Sequence, residues 1–294
     1  MVAIEAAAAR DPRGLVLQDM RPEDAEAALA LSDEAGWNQT VEDWRFMLGD
    51  GRALGLREPG GPWIGSSLVL ARGPAVSWIS MVLIARRHRG QGLGTMLLDR
   101  CIGAVGASGA VPGLDATELG RPVYLSKGFR ELYPISRWRL DAKPAFRSAV
   151  GTWTIRRFAV TDFKGVISFD ERCTGMERGS TLHYLLSRAP DLACLAEVDG
   201  QLAGFALGRP GRISAQIGPV VAESSEIALA LISEMSALGS SVILDVPDTH
   251  RAVTDWLQQH GGVRVRGFMR MMLGDVPGLR DPGPIFALAG PELS

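Results

Sequence analysis

"VLIARRHRGQGLGTMLL", residues 82–98, joins an apolar strand to a helix start through a loop of arginines and glycines. Gly90, Gly92 and Gly94 lack a Cβ, so the backbone there can turn tightly and approach a ligand closely. Their N–H groups, with those of Gln91, Leu93 and Thr95, are the unpaired donors at a helix start. Together with the helix dipole they make a seat for an anion. Arg86, Arg87 and Arg89 add positive charge. The stretch therefore reads as a grip for a pyrophosphate, against the plainer reading of a glycine-rich turn with solvated arginines. No G-K-[ST] follows, and the glycines run G-x-G-x-G, so neither the nucleotide P-loop nor the dinucleotide fingerprint applies.

Further along, "VVAESSEIALALI" (220–232) repeats the strand-to-helix outline with Glu223 and Glu226 where the basic loop would stand. The likeness extends outward in both directions. Leu17 matches Ile155 at an offset of 138, Gly65 matches Gly204 at 139 and Ile79 matches Ile217 at 138. Asp115 then matches Asp245 at 130, so a deletion falls at or just after the junction. Each half reads β–α–α–β–β–β–α–β–α–β. The expected fold class is mixed α/β, with a mixed sheet flanked by helices in each of two tandem domains. Their expected bounds are 1–141 and 152–294, with "DAKPAFRSAVG" (141–151) as linker. The Pro/Gly-rich stretch after residue 275 holds a strand-like "IFALA" that should dock on the fold. Chance likeness of ordinary α/β patterning is the alternative to a repeat.

A length of 294 residues favours two domains, and 46% hydrophobic with 22% charged residues is ordinary for a soluble globular protein. The formal charge of −2 gives no basic field, which argues against nucleic-acid partners. Three cysteines without C-x-x-C spacing and four scattered histidines offer neither a disulfide framework nor a metal site. The first residues carry Glu5 within their apolar run, unlike a signal peptide, and no apolar run reaches the roughly 18 residues of a membrane span. These features point to a cytoplasmic protein with no metal and no membrane partner.

The loop Arg89-Gly90-Gln91-Gly92-Leu93-Gly94 resembles the R-x-x-G-x-G acetyl-CoA signature of the GCN5-related N-acetyltransferase (GNAT) family. "RPVYLSKGF" (121–129) resembles the family's second landmark, with Tyr124, Gly128 and Phe129 in register. The resemblance covers residues 15–140; the second half resembles the fold pattern only, as a degenerate copy. It implies acetyl-CoA as cofactor and an amine of a small molecule or amino-acid-like acceptor as substrate. It also implies cofactor binding by the strand residues Val82, Leu83 and Ile84. The loop residues Arg87, Arg89, Gly90, Gln91, Gly92, Leu93, Gly94 and Thr95 would bind it as well. Thr117 stands where an asparagine is usual and could still reach the cofactor arm. Gly120 and Pro122 make the helix of Tyr124 start late.

By the same resemblance Tyr124 protonates the departing sulfur, a role suited to a phenol that keeps its proton near neutrality. The plainer reading is a half-buried packing residue. A lysine-like acceptor must first lose a proton, at a cost of about 4.6 kcal/mol near pH 7, against about 1 kcal/mol for an α-amino group. Asp115 and Glu118 are the nearest carboxylates for that work, and each reads equally as a strand-end cap or solvated turn. Trp37 and Asn38, in the helical region that lines the acceptor pocket of the family, offer an aromatic wall and an amide, or else packing and capping. Arg172, Arg178 and His183 occupy the equivalent place in the second half and could face an acceptor, with solvated surface as the default. A carboxylate beside a pyrophosphate costs a few kcal/mol at an effective dielectric of about 20. Glu223 and Glu226 therefore argue against cofactor binding in the second half. A non-catalytic acyl-CoA sensor is the alternative function.

Overall fold

A computed structural model describes residues 9–10, 13–141, 153–237 and 241–294. The linker expected at 141–151 falls outside them except for Asp141. By its contacts the chain forms two compact units. The first takes Met1–Leu114 with Gly211–Ile213 and Met272–Asp275; the second takes Asp115–Pro210, Ser214–Met271 and Val276–Ser294. This division counts neighbours in space, whereas the repeat counts order along the chain.

In the first unit, β1 (Ala9–Arg10) and β2 (Val16–Met20) lead into α1 (Ala25–Glu34) and α2 (Val41–Asp50). Then come β3 (Arg52–Arg57), β4 (Trp63–Ala71), β5 (Val76–Ile84), α3 (Leu93–Ala107) and β6 (Val111–Thr117), whose last three residues count with the second unit. The strands follow one another antiparallel from β1 to β5, and β6 joins β5 in parallel. Thr40 starts α2 through a capping box: its Oγ1 accepts from Asp43 N, and Asp43 Oδ2 accepts from Thr40 N at 2.7 Å. Helices α1, α2 and α3 all pack on β4, and α3 also packs on β5. Strand β4 is buried along nearly its whole length, with Ser66 and Ser67 enclosed between apolar ends. Trp44, Leu54, Leu68 and Leu97 fill the core, and Trp44 Nε1 donates to Ser32 Oγ at 3.0 Å.

The second unit continues with α4 (Arg121–Ser126), β7 (Arg130–Leu140), β8 (Trp153–Arg157), α5 (Phe163–Thr174) and α6 (Gly179–Arg188). There follow β9 (Ala193–Val198), β10 (Gln201–Arg209), β11 (Ala215–Ala222), α7 (Ser225–Ser236), β12 (Val242–Pro247), α8 (Arg251–Gln259), β13 (Val263–Met272) and β14 (Ile285–Ala287). Its sheet runs β6-β13-β7-β12-β11-β10-β9-β8, with β14 on β11. The alternation read from each half is present in order, and "IFALA" docks as β14. The core gathers Val220, Leu231, Ile232, Leu244, Val253 and Leu257 between the sheet and the helices α7 and α8. Among the described residues no helix is long and apolar enough to cross a membrane.

Two arginines tie the middle of this sheet. Arg137 on β7 donates twice to Asp245 on β12, both at 2.7 Å. Arg270 on β13 donates twice to Asp115 on β6, at 2.9 and 2.8 Å. Both pairs are buried. The carboxylates are the two that the sequence repeat aligns.

Candidate active site

Strand β5 is where the first unit departs from a regular sheet. It pairs with β6 only at Val76–Val111, Ser77–Pro112 and Trp78–Gly113. From Ile79 to Ile84 no strand is paired to that edge among the described residues. On the other edge, Ser66 faces Leu83 and Leu68 faces Ser80, so β5 carries one residue more than β4 over this step. That is a bulge at Met81 and Val82. Met81 holds φ of 51°, a left-handed conformation costing on the order of 1 kcal/mol or more for such a side chain. Ser66 steadies it by donating to Met81 O at 2.8 Å. Val82 and Ile84 are half-buried and Leu83 is buried, so the open edge offers backbone groups over an apolar floor.

The strand then enters the basic loop. Gly90 and Gly92 have φ of 74° and 76°, and a Cβ on either would meet nothing within 4 Å. The two glycines thus serve a backbone turn with open space in front of it. Gly92 is the cap of α3, and Met96 N takes the first helical bond to Gly92 O at 3.0 Å. The N–H groups of Leu93, Gly94 and Thr95 precede that bond and have no acceptor in an earlier turn. Arg87 and Arg89 are exposed. Arg89 Nε is held by Ile84 O at 2.9 Å, which fixes the guanidinium beside the loop. Arg13 Nη1 donates to Gln91 O at 2.8 Å, and Glu34 receives Arg86 through its backbone N–H. These donors, charges and open glycines fit a pyrophosphate.

Trp37 and Asn38 also lie in the first unit, in the turn between α1 and α2. Asn38 is 2% exposed; its Oδ1 accepts from Ile213 N at 2.8 Å and its backbone O from Arg212 N at 3.0 Å. Arg212 donates to Trp37 O at 2.8 Å and pairs with Asp33 at 2.7 Å. Segment 211–213 is thus seated on the turn. No sequence signal announces this partner, 175 residues away.

Tyr124 and Thr117 belong to the second unit. Helix α4 is six residues long with Pro122 in its first turn. The Tyr124 ring meets Phe129 edge-on at 5.9 Å and lies over Gly120, where a Cβ would stand 2.8 Å from it. Thr117 Oγ1 accepts from Gly120 N at 3.3 Å, which ties the strand end to the helix start. Asp115, a carboxylate considered for acceptor deprotonation, is instead buried against Arg270. Burial pushes its carboxyl above the usual range while Arg270 pulls it down. Its lone pairs hold the sheet together. Arg178, considered for an acceptor-facing surface, is 1% exposed and bound twice to Asp170 at 2.8 Å, tying α5 to α6. Arg172 lies over the Phe169 ring, and His183 meets Phe163 edge-on.

The second junction is built differently. Strand β11 passes into α7 through Glu223 and Ser224, and Ser224 Oγ caps the helix by accepting from Ile227 N at 3.3 Å. Glu226 is held below the usual carboxylate range by its own backbone N–H and by Ser224. The helix start serves its own side chains.

A family model described as "Acetyltransferase (GNAT) family" matches residues 18–122, and one described as "Acetyltransferase (GNAT) domain" matches residues 166–287. The chain is 24% identical over 244 residues to the uncharacterized N-acetyltransferase YitH of Bacillus subtilis (strain 168), covering 82% of this chain and 86% of that one. Its fold is similar to that of a candidate acetyltransferase from Pyrococcus horikoshii, with TM-score 0.80 at 19% identity over 99% of both chains. A GCN5-related N-acetyltransferase from Sphaerobacter thermophilus gives TM-score 0.64 at 20% identity over 90% of this chain and 96% of that one. A tandem GNAT protein from the clavulanic acid biosynthesis pathway gives 0.61 at 14% over 89% and 99%. With both halves matched separately, the chain is an N-acetyltransferase of the GNAT family that carries two of its domains in one polypeptide.

Proposed function

We propose that the protein transfers the acetyl group of acetyl-CoA to the amine of a small molecule or amino-acid-like acceptor in the cytoplasm. Its two domains are residues 1–141 and 152–294, and the first carries the chemistry. The observation that carries this reading is the open edge of β5 leading into Gly90, Gly92 and the start of α3. Bound acetyl-CoA supplies an activated thioester. The N–H groups of Leu93, Gly94 and Thr95, with Arg87, Arg89 and the loop backbone at Gly90–Gly92, hold its phosphates. The backbone of Val82, Leu83 and Ile84 would pair with its arm, and a strand N–H there would serve as the oxyanion donor. Thr117 borders the arm. Tyr124 would be the hydroxyl donor to the departing sulfur. Trp37 and Asn38 border the acceptor.

The test is a thiol-release screen of pooled amines, amino acids and polyamines with acetyl-CoA, beside a calorimetric CoA titration. Saturable binding and free thiol from at least one pool are expected. Binding without thiol release from any pool would favour a sensor, and absence of binding would overturn the reading.

A further inference from the structure

Strands β11 and β12 run parallel and pair only at Ala215–Val242 and Gln216–Ile243. They then part, as β5 and β6 do after Trp78 and Gly113. Here the gap is filled. Strand β14 pairs antiparallel with β11, with Val220 opposite Ala287 and Val221 opposite Ile285. Ala222 N donates to Pro284 O at 3.0 Å, and on the other side Leu288 N donates to Asp245 O of β12 at 2.9 Å. A single extended segment thus bonds to both walls of the split.

The fit is close. Residues 285–290 and 292–294 are buried. Gly218 of β11 has φ of 150°, and a Cβ there would stand 1.8 Å from Leu288 O, so β11 leaves room for this backbone. Phe286 lies against the His250 ring at 4.2 Å, and His250 Nε2 is 2.9 Å from Ile285 O. Two buried arginines close the far end: Arg209 pairs with Glu292, and Arg270 donates to Ser294 Oγ.

We propose that the split between β11 and β12 is a binding site for an extended apolar peptide, occupied by residues 284–294 of the chain itself. Backbone pairing supplies affinity, while pockets for Ile285, Phe286 and Leu288 and the arginines facing Glu292 and Ser294 supply selectivity. The same kind of opening is thus left free in one half and filled from within in the other. Only the reading of the first opening as a cofactor site rests on the function proposed above; the peptide site does not.

A protease site placed at exposed Pro277–Gly278 of the full chain permits cleavage after folding. The cut segment is expected to remain bound through gel filtration. After its removal in mild denaturant and return to buffer, a labelled peptide of residues 283–294 should bind with one-to-one stoichiometry and restore the unfolding midpoint of the uncut protein. Peptides with Phe286→Asp or Leu288→Asp, and protein with Gly218→Ala, should bind at least tenfold more weakly. Excess CoA should leave the peptide in place. A stripped protein that neither binds the peptide nor regains stability with it would overturn the proposal, as would equal binding of the Asp peptides or displacement by CoA. Failure of CoA to bind anywhere would overturn the acetyl-transfer reading and leave the peptide result standing.

Discussion

Arg270 and Asp115 meet through two hydrogen bonds at 2.9 and 2.8 Å, with the arginine also donating to Tyr133 Oη at 3.1 Å. The carboxylate is wholly enclosed and the guanidinium nearly so. Such a pair gains little over an apolar substitute but is costly to break, because the survivor is a charge without a counterion in a dry place. Asp115→Ala should therefore destabilise the protein by about 3–5 kcal/mol in urea unfolding. Replacing both partners by apolar residues of similar volume should recover most of that loss. If Asp115 were instead the base of the reaction, Asp115→Asn would abolish turnover in protein of unchanged stability.

The glycine loop is expected to tolerate substitution in the fold and not in binding. Gly92→Ala meets no neighbour and costs about 1 kcal/mol for its left-handed backbone. CoA affinity should nevertheless fall tenfold or more, because the added methyl fills the open space in front of the loop N–H groups. Arg89→Ala should weaken binding and flatten its dependence on salt, as read by calorimetry at two ionic strengths.

Tyr124→Phe keeps the ring contact with Phe129 and removes the proton donor. Thiol release should drop by about 10²–10⁴-fold if the hydroxyl is the general acid, with the KM for acetyl-CoA little changed. A residue that only packs would leave kcat within a factor of two.

Cys101 and Cys194 are buried, and burial pushes their thiols up from 9.0 to about 11 and about 12. The folded state thus holds these protons more firmly than the unfolded chain does. Below pH about 9 both states are protonated and the stability associated with the neutral thiols is intact. It is lost progressively as pH rises from there through 11 and 12. Urea midpoints should fall over that range, and the fall should be shallower in a Cys101→Ala, Cys194→Ala variant. In native protein a thiol reagent should label Cys173, which is partly exposed, well ahead of the other two.

The element order and the glycine turn ahead of α3 were legible in the sequence because both rest on local rules. A strand buried on both faces reads as a continuous apolar run, and a glycine loop before a helix reads as an anion seat wherever the chain places it. The repeat was legible for the same reason, since each half repeats its own local periodicities. Opposite charge at the second junction also survived translation into structure: Ser224 caps α7 where the first half keeps open N–H groups.

What the tertiary structure alone decided are the pairings between distant residues. Asp115 could be read as a base or a strand-end cap from its neighbours, and Arg270, 155 residues away, makes it a buried tie. Arg178 counted as surface until Asp170 enclosed it, and nothing near Asn38 in sequence announced that Ile213, 175 residues away, donates to its amide oxygen. "IFALA" announced a strand and nothing about its partner, because hydrogen-bond register across a sheet depends on which edges remain open. Periodicity is a property of the chain's own backbone, whereas the occupant of a gap is settled by which distant segment buries its polar groups and apolar side chains there.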